Sequence, residues 1–238
     1  MSKKRRPKKF KATFENGGFW EYYEDLERQF EDFLQYVPYF DINERVCSFR
    51  LSNILLSIGG HVDSAFKEMA AYKKFSKNEK CKQICQKVRE SKKRIKRGKG
   101  PITIKIEDCL SAFETEYRLS RKRVIFKRLP KREFVTPFYP HNPKTNAPEW
   151  WGIYNGLKHD FGSNFEKANL RVTLHALASA FLLNVIHFPA ILRLNDYRIL
   201  KCTVGAWIKR KALEDMLERK QKIPGFVETP LFIYDYRQ

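Results

Sequence analysis

Pro148-Glu149-Trp150-Trp151-Gly152-Ile153-Tyr154-Asn155-Gly156-Leu157-Lys158-His159-Asp160 is the most specific pattern in the chain. Trp150-Trp151 opens a short helix on which Asn155 and His159, four apart, share a face, while Asp160 projects away from His159. An amide, an imidazole and the Lys158 ammonium close together suit the handling of a phosphodiester. Histidine can move a proton near neutral pH, and a cation can hold the charge that develops on phosphate oxygens.

Downstream, Val172 to Leu192 carries no formal charge and is long enough to cross a bilayer. It also contains Thr173, His175, Ser179, Asn184, His187 and Pro189, and polar groups at that density are costly in hydrocarbon. The segment therefore predicts a helix buried on all sides of a soluble bundle, capped by Ser163 or Asn164, with His175, Asn184 and His187 as satisfied core polar groups. Upstream, Phe19, Tyr23, Leu26, Phe30, Phe33 and Val37 recur at spacings of three and four, the signature of one helix face, and Pro38 ends the run. Asp41 or Asn43 is placed to cap a second helix carrying Val46 to Met69. Gly59-Gly60 inside it costs about 1 kcal/mol per glycine, which predicts a kink or a close helix–helix contact. His61 beside this pair reads as a core or surface histidine.

Residues 73–100 change character: thirteen cations from Lys73 to Lys99 face only Glu79 and Glu90. Cys81, Ile84, Cys85 and Val88 form a narrow apolar stripe, so this is a basic amphipathic helix, and the Cys81-x-x-x-Cys85 spacing is structural rather than metal-binding. Ile102, Ile104 and Ile106 alternate as in a strand, Asp108 can cap a helix through Tyr117, and Val124-Ile125-Phe126 and Leu231-Phe232-Ile233-Tyr234 read as strands. A proline-rich loop from Pro137 to Pro148 contains His141, and Trp207 to Lys220 is a charged helical stretch.

The 238 residues include 47 Lys plus Arg against 27 Asp plus Glu, a net charge of +20. Seven of the cations lie in Met1–Lys11, a disordered basic arm. Such a charge draws polyanions. The candidate nucleic-acid contacts are Lys92, Lys93, Arg94, Lys96, Arg97, Arg121, Lys122 and Arg123, with exposed aromatics such as Tyr139 available to stack on bases. Five cysteines, an odd number in a chain this long, favour a reducing interior, and a cytoplasmic placement follows, or a nuclear one in a eukaryote. There is no zincin histidine pair, no Gly-rich phosphate loop and no Gly-x-Ser-x-Gly elbow, which argues against kinase, P-loop and serine-hydrolase chemistry. No metal or cofactor is expected.

The helix pair, then Trp150-Trp151-x-x-Tyr154-Asn155-x-x-Lys158-His159, then a very apolar helix resemble the HEPN superfamily (higher eukaryote and prokaryote nucleotide-binding domains). The resemblance implies a mainly α, up-and-down helical bundle covering residues 19–72 and 148–190, and a homodimer with a composite site. It also implies a metal-independent endoribonuclease in which His159 is the general acid–base, Asn155 orients the phosphate and Lys158 stabilises charge. A protein antitoxin or regulator would be a further partner. The family's motif begins with Arg, and Tyr154 stands there instead. One lost oxyanion donor costs ~10²–10³ in rate, so the alternative is a non-catalytic nucleic-acid-binding or homodimeric scaffold module. The expected organisation is a tail at 1–18, a bundle over 19–215 interrupted by a basic insertion at 73–132 that carries a small β element, and a C-terminal extension at 216–238.

Overall fold

The chain is mainly helical and carries one small sheet, in a computed structural model that describes residues 13–128, 133–140, 147–203 and 207–237. The whole basic arm, Met1–Lys11, lies outside these, as does His141. Within the stretch expected as a tail at 1–18, Phe14 is buried against Phe19, with ring centroids 4.6 Å apart.

Helix α1 (Gly18–Leu34) buries Phe19, Tyr23, Leu26, Phe30 and Phe33, the face read from the spacing; Val37 follows it outside the helix. Helix α2 (Phe49–Ala71) starts later than expected. Its cap is Ser48, whose hydroxyl accepts the Leu51 N–H at 3.1 Å, while Asp41 and Asn43 lie in a separate 3-10 turn. Val46 instead runs in the extended segment that hydrogen-bonds Leu170.

Helix α3 (Glu79–Lys96) buries only Cys81 and Ile84, and α4 (Ile106–Tyr117) follows antiparallel to it. The pairing runs from Lys74 Nζ–Glu116 Oε1 (2.7 Å), through Lys87 Nζ–Asp108 Oδ2 (2.7 Å), to Ile102 N–H and Ser91 Oγ (3.0 Å). Ile102 to Ile106 is not the expected strand: Ile106 begins α4, and packing inside α4 overrides the alternation. Lys105, not Asp108, occupies the cap position.

Strands β1 (Val124–Phe126) and β2 (Glu133–Val135) precede α5 (Glu149–His159) and the one-turn α6 (Phe161–Asn164). Helix α7 (Leu170–Ile186) is buried at every position but Arg171 and His175, which is the fully enclosed helix the composition predicts. Its cap is Asn169, which accepts the Val172 N–H at 3.0 Å, and not Ser163 or Asn164. At His187 the backbone leaves the helix, and α8 (Phe188–Asp196) departs at 79°. Pro189 sits in the first turn of α8, where a missing N–H costs nothing. No single described helix is long and apolar enough to cross a membrane; α7 and α8 together reach that length only as this bent pair.

Strand β3 (Leu200–Cys202), helix α9 (Arg210–Glu218), β4 (Gly225–Glu228) and β5 (Phe232–Asp235) complete the chain. The sheet order is β2-β1-β5-β4-β3, antiparallel throughout. Residues from the basic block therefore pair with the C-terminal segment, Ile125 opposite Ile233 and Phe126 opposite Phe232. The sheet joins the helices where Phe232 stacks on Phe181 (5.5 Å, 20°) and where the Tyr236 hydroxyl donates to Val185 O at 2.6 Å.

Glu27 of α1 is the second tie. Its buried carboxylate accepts the Thr229 hydroxyl and the Leu231 N–H, the latter at 3.0 Å. Burial raises its pKa, and these hydrogen bonds only partly oppose that.

Candidate nucleic-acid interface

The turn from α4 into β1 builds a strongly cationic concavity. Arg118 ends α4 in the left-handed region (φ 51°) and still donates its N–H to Glu114 O at 2.8 Å. A 3-10 turn over Leu119–Arg121 follows, with Leu119 fully buried as its anchor. The Glu114 carboxylate holds this turn by accepting the Ser120 hydroxyl (2.6 Å) and N–H (3.0 Å). Glu114 is thereby committed to the turn. Strand alternation does the rest: Val124 and Phe126 point into the core, and Ile125 faces outward opposite Phe134.

A cavity of about 530 Å³ results, lined by Arg118, Arg121, Lys122, Arg123 and Phe134 among others. The Asp235 carboxylate also lines it, and Arg237 holds that carboxylate through contacts of 2.5 to 3.1 Å. No described carboxylate forms an ion pair with any of the four cleft cations. Phe134 is 53% exposed, with the Arg123 guanidinium 5.8 Å from its ring centroid. Lys122 is partly buried; burial first, and the Arg118 charge second, lower its pKa. Such an ammonium gains from an anionic partner.

Of the sequence-predicted contacts, Arg121, Lys122 and Arg123 converge here. Lys92, Lys93, Arg94, Lys96 and Arg97 are all exposed but lie elsewhere. The antiparallel pairing of α3 with α4 puts them near Ile102, at the opposite end of the hairpin from Arg118. Arg94 Nε is engaged by Gly100 O at 3.1 Å. Tyr139 is 67% exposed but lines a different cavity, beside Trp150, Arg171 and His175. Arg118 and Phe134 were not singled out from sequence. Arg118 adjoins the basic run, so proximity was a usable signal; Phe134 needed the strand register.

The motif helix is arranged differently. Tyr154 is buried, and its ring lies across Gly59 of α2. Gly59, and not Gly60, thus makes a close helix–helix contact inside an uninterrupted α2. Lys158 is exposed and sits 6.0 Å over the Tyr154 ring. Asn155 is half-buried and His159 exposed, on the face their spacing predicts. None of the three lines the cationic cavity.

Of the remaining described histidines, His61 and His187 are buried and His175 is half-buried. Burial lowers the pKa of His61 to about 4, of His175 to about 4 and of His187 to about 3. His187 Nδ1 meets the Tyr117 hydroxyl at 2.9 Å, and Asn184 Nδ2 meets His61 Nε2 at 3.2 Å. Asn184 Oδ1 and His61 Nδ1 have no partner among the described residues, so this part of the expected satisfied core is incomplete. Among the described residues no group of three or more His, Cys, Asp and Glu side chains is placed to hold a metal.

No family model, no curated protein and no solved structure matches this chain.

Proposed function

We propose that this protein binds nucleic acid, RNA first among them, by seating backbone phosphates in the cleft of Arg118, Arg121, Lys122 and Arg123. The observation that carries the reading is the convergence of four cations, none ion-paired to a carboxylate among the described residues, on one concave surface beside the exposed ring of Phe134. Clustered guanidinium groups give charge-assisted, forked hydrogen bonds to phosphate oxygens. An adjacent exposed ring offers a base a stacking surface. RNA is favoured over DNA by the resemblance of the α5 motif to HEPN domains, and on this reading the helices form a HEPN-like bundle.

The test is a binding titration of labelled single-stranded RNA across salt. Each phosphate contact contributes about 0.7 to the slope of log K against log salt for single strands. Arg121→Ala with Arg123→Ala should weaken binding and lower that slope by about 1.4. A slope near zero in the unsubstituted protein removes the reading.

The same RNA, incubated in chelator, tests cleavage. Half-buried Asn155 and exposed His159 lie four apart on one face of α5, which is compatible with general acid–base work by His159. Cyclic-phosphate products lost in His159→Ala would make the protein a ribonuclease. Intact RNA would leave a binding module.

A further inference from the structure

Lys122 stands between two cavities. On one side is the cationic cleft, and on the other an open cavity of about 220 Å³ lined by Tyr117, Phe188, Tyr234 and Tyr236 among aliphatic side chains. Lys122 Nζ lies 5.7 Å over the Tyr234 ring. The rim of this second cavity is polar. Lys74 and Lys220 both hydrogen-bond Glu116, at 2.7 and 3.0 Å, and together they outweigh the effect of its burial and hold its carboxyl below the usual range. The second cavity thus joins aromatic walls to a charged, hydrogen-bonding mouth with one cation in excess, and Lys122 is shared with the phosphate cleft.

We infer that the tyrosine-lined cavity takes a single nucleobase, unstacked from a single-stranded polynucleotide whose phosphates cross Lys122 into the cationic cleft. The inference rests on the cleft reading above and deepens it by naming the form of nucleic acid bound. A nucleobase has two π faces and a polar edge. The tyrosine walls match the faces, and Glu116 and the lysines at the mouth match the edge. The phosphate attached to that base is then within reach of Lys122, which already belongs to both cavities. The space suits one planar heterocycle and not a base pair, so a duplex would have to open first, at the cost of unstacking and unpairing.

The test uses the full chain and three forms of one labelled RNA: the single strand, its duplex, and a set of strands with one abasic site moved a position at a time. The single strand should bind about ten-fold tighter than the duplex, and at one position the abasic site should lose about ten-fold. Leu217→Trp, which fills the cavity from α9, should make intact and abasic strands bind alike. Its fold is checked by helical circular dichroism, and the abasic series on the unsubstituted protein stands without it. Equal binding of duplex and single strand, or abasic strands that bind as well as intact ones at every position, overturns the inference. In that case a loss in Arg121→Ala with Arg123→Ala still retains the cleft, whereas unchanged binding in that variant removes both.

Discussion

Tyr154 of α5 lies so close across Gly59 of α2 that a methyl group on Gly59 would stand 2.3 Å from the tyrosine ring. The neighbouring Gly60 has open space around it. Only the first glycine of the pair is therefore required by packing, and it is what lets the motif helix approach the bundle.

Gly59→Ala should accordingly destabilise the fold, against the usual gain from replacing a helical glycine. Overpacking of this kind costs about 1–3 kcal/mol. In a chain of this size each kcal/mol moves the melting temperature by about 2–4 °C. Gly60→Ala is the control and should raise it. Tyr154→Arg places a guanidinium in a buried slot; loss of stability without new nuclease activity is the expected result. An active, stable Tyr154→Arg protein would contradict this packing.

Arg118 holds the left-handed conformation that opens the cleft. That conformation costs about 1–2 kcal/mol for a residue with a Cβ, and glycine relieves it at an entropic cost of about 0.5–1 kcal/mol. Arg118→Gly should therefore raise stability by about 0.5–1 kcal/mol while weakening nucleic-acid binding. The two signs are opposite, so parallel thermal melts and binding titrations decide it. Unchanged binding would remove Arg118 from the interface.

Buried His61 and His187 and half-buried His175 make stability depend on acid. Their folded pKa values, about 4 for His61 and His175 and about 3 for His187, lie below the ordinary 6.5. Between those limits the unfolded chain takes up protons that the folded chain refuses, so stability is lost as pH falls below about 6.5. Each imidazole contributes a slope of up to about 1.4 kcal/mol per pH unit. His175→Gln should flatten the curve of unfolding free energy between about pH 6.5 and 4. A variant curve parallel to that of the unsubstituted protein would count against a neutral His175.

Glu27 acts with the opposite sign. Its folded pKa is raised by burial, so the stability it contributes falls as pH rises from the ordinary carboxyl value of 4.5 through that raised value. Glu27→Gln should remove this falling limb from the unfolding curve. Glu27→Ala leaves the Leu231 N–H without its acceptor and should cost about 1–3 kcal/mol at neutral pH. Denaturant unfolding of both variants separates the lost hydrogen bond from the lost charge.

Much of this architecture was legible locally. The aromatic face of α1, the enclosed α7, the narrow stripe of α3 and the strands at Val124–Phe126 and Phe232–Asp235 each follow from a pattern within one segment. Misreadings clustered at helix starts, where several capping residues compete: Ser48 over Asp41 and Asn43, Asn169 over Ser163 and Asn164. The isoleucine alternation at 102–106 misled because a three-residue period of two is indistinguishable from the approach to a helix until packing chooses.

The +20 charge and the helical periodicities belong to the chain whatever its fold, because both depend only on residue identity and near-neighbour spacing. The partners of those residues depend on the path of the backbone. Tertiary structure alone set Phe134 opposite Ile125, buried Tyr154 against Gly59 and parted the basic run of α3 from Arg121-Lys122-Arg123. These are contacts between segments distant in sequence, and strand register and helix packing, which no local pattern encodes, decide them.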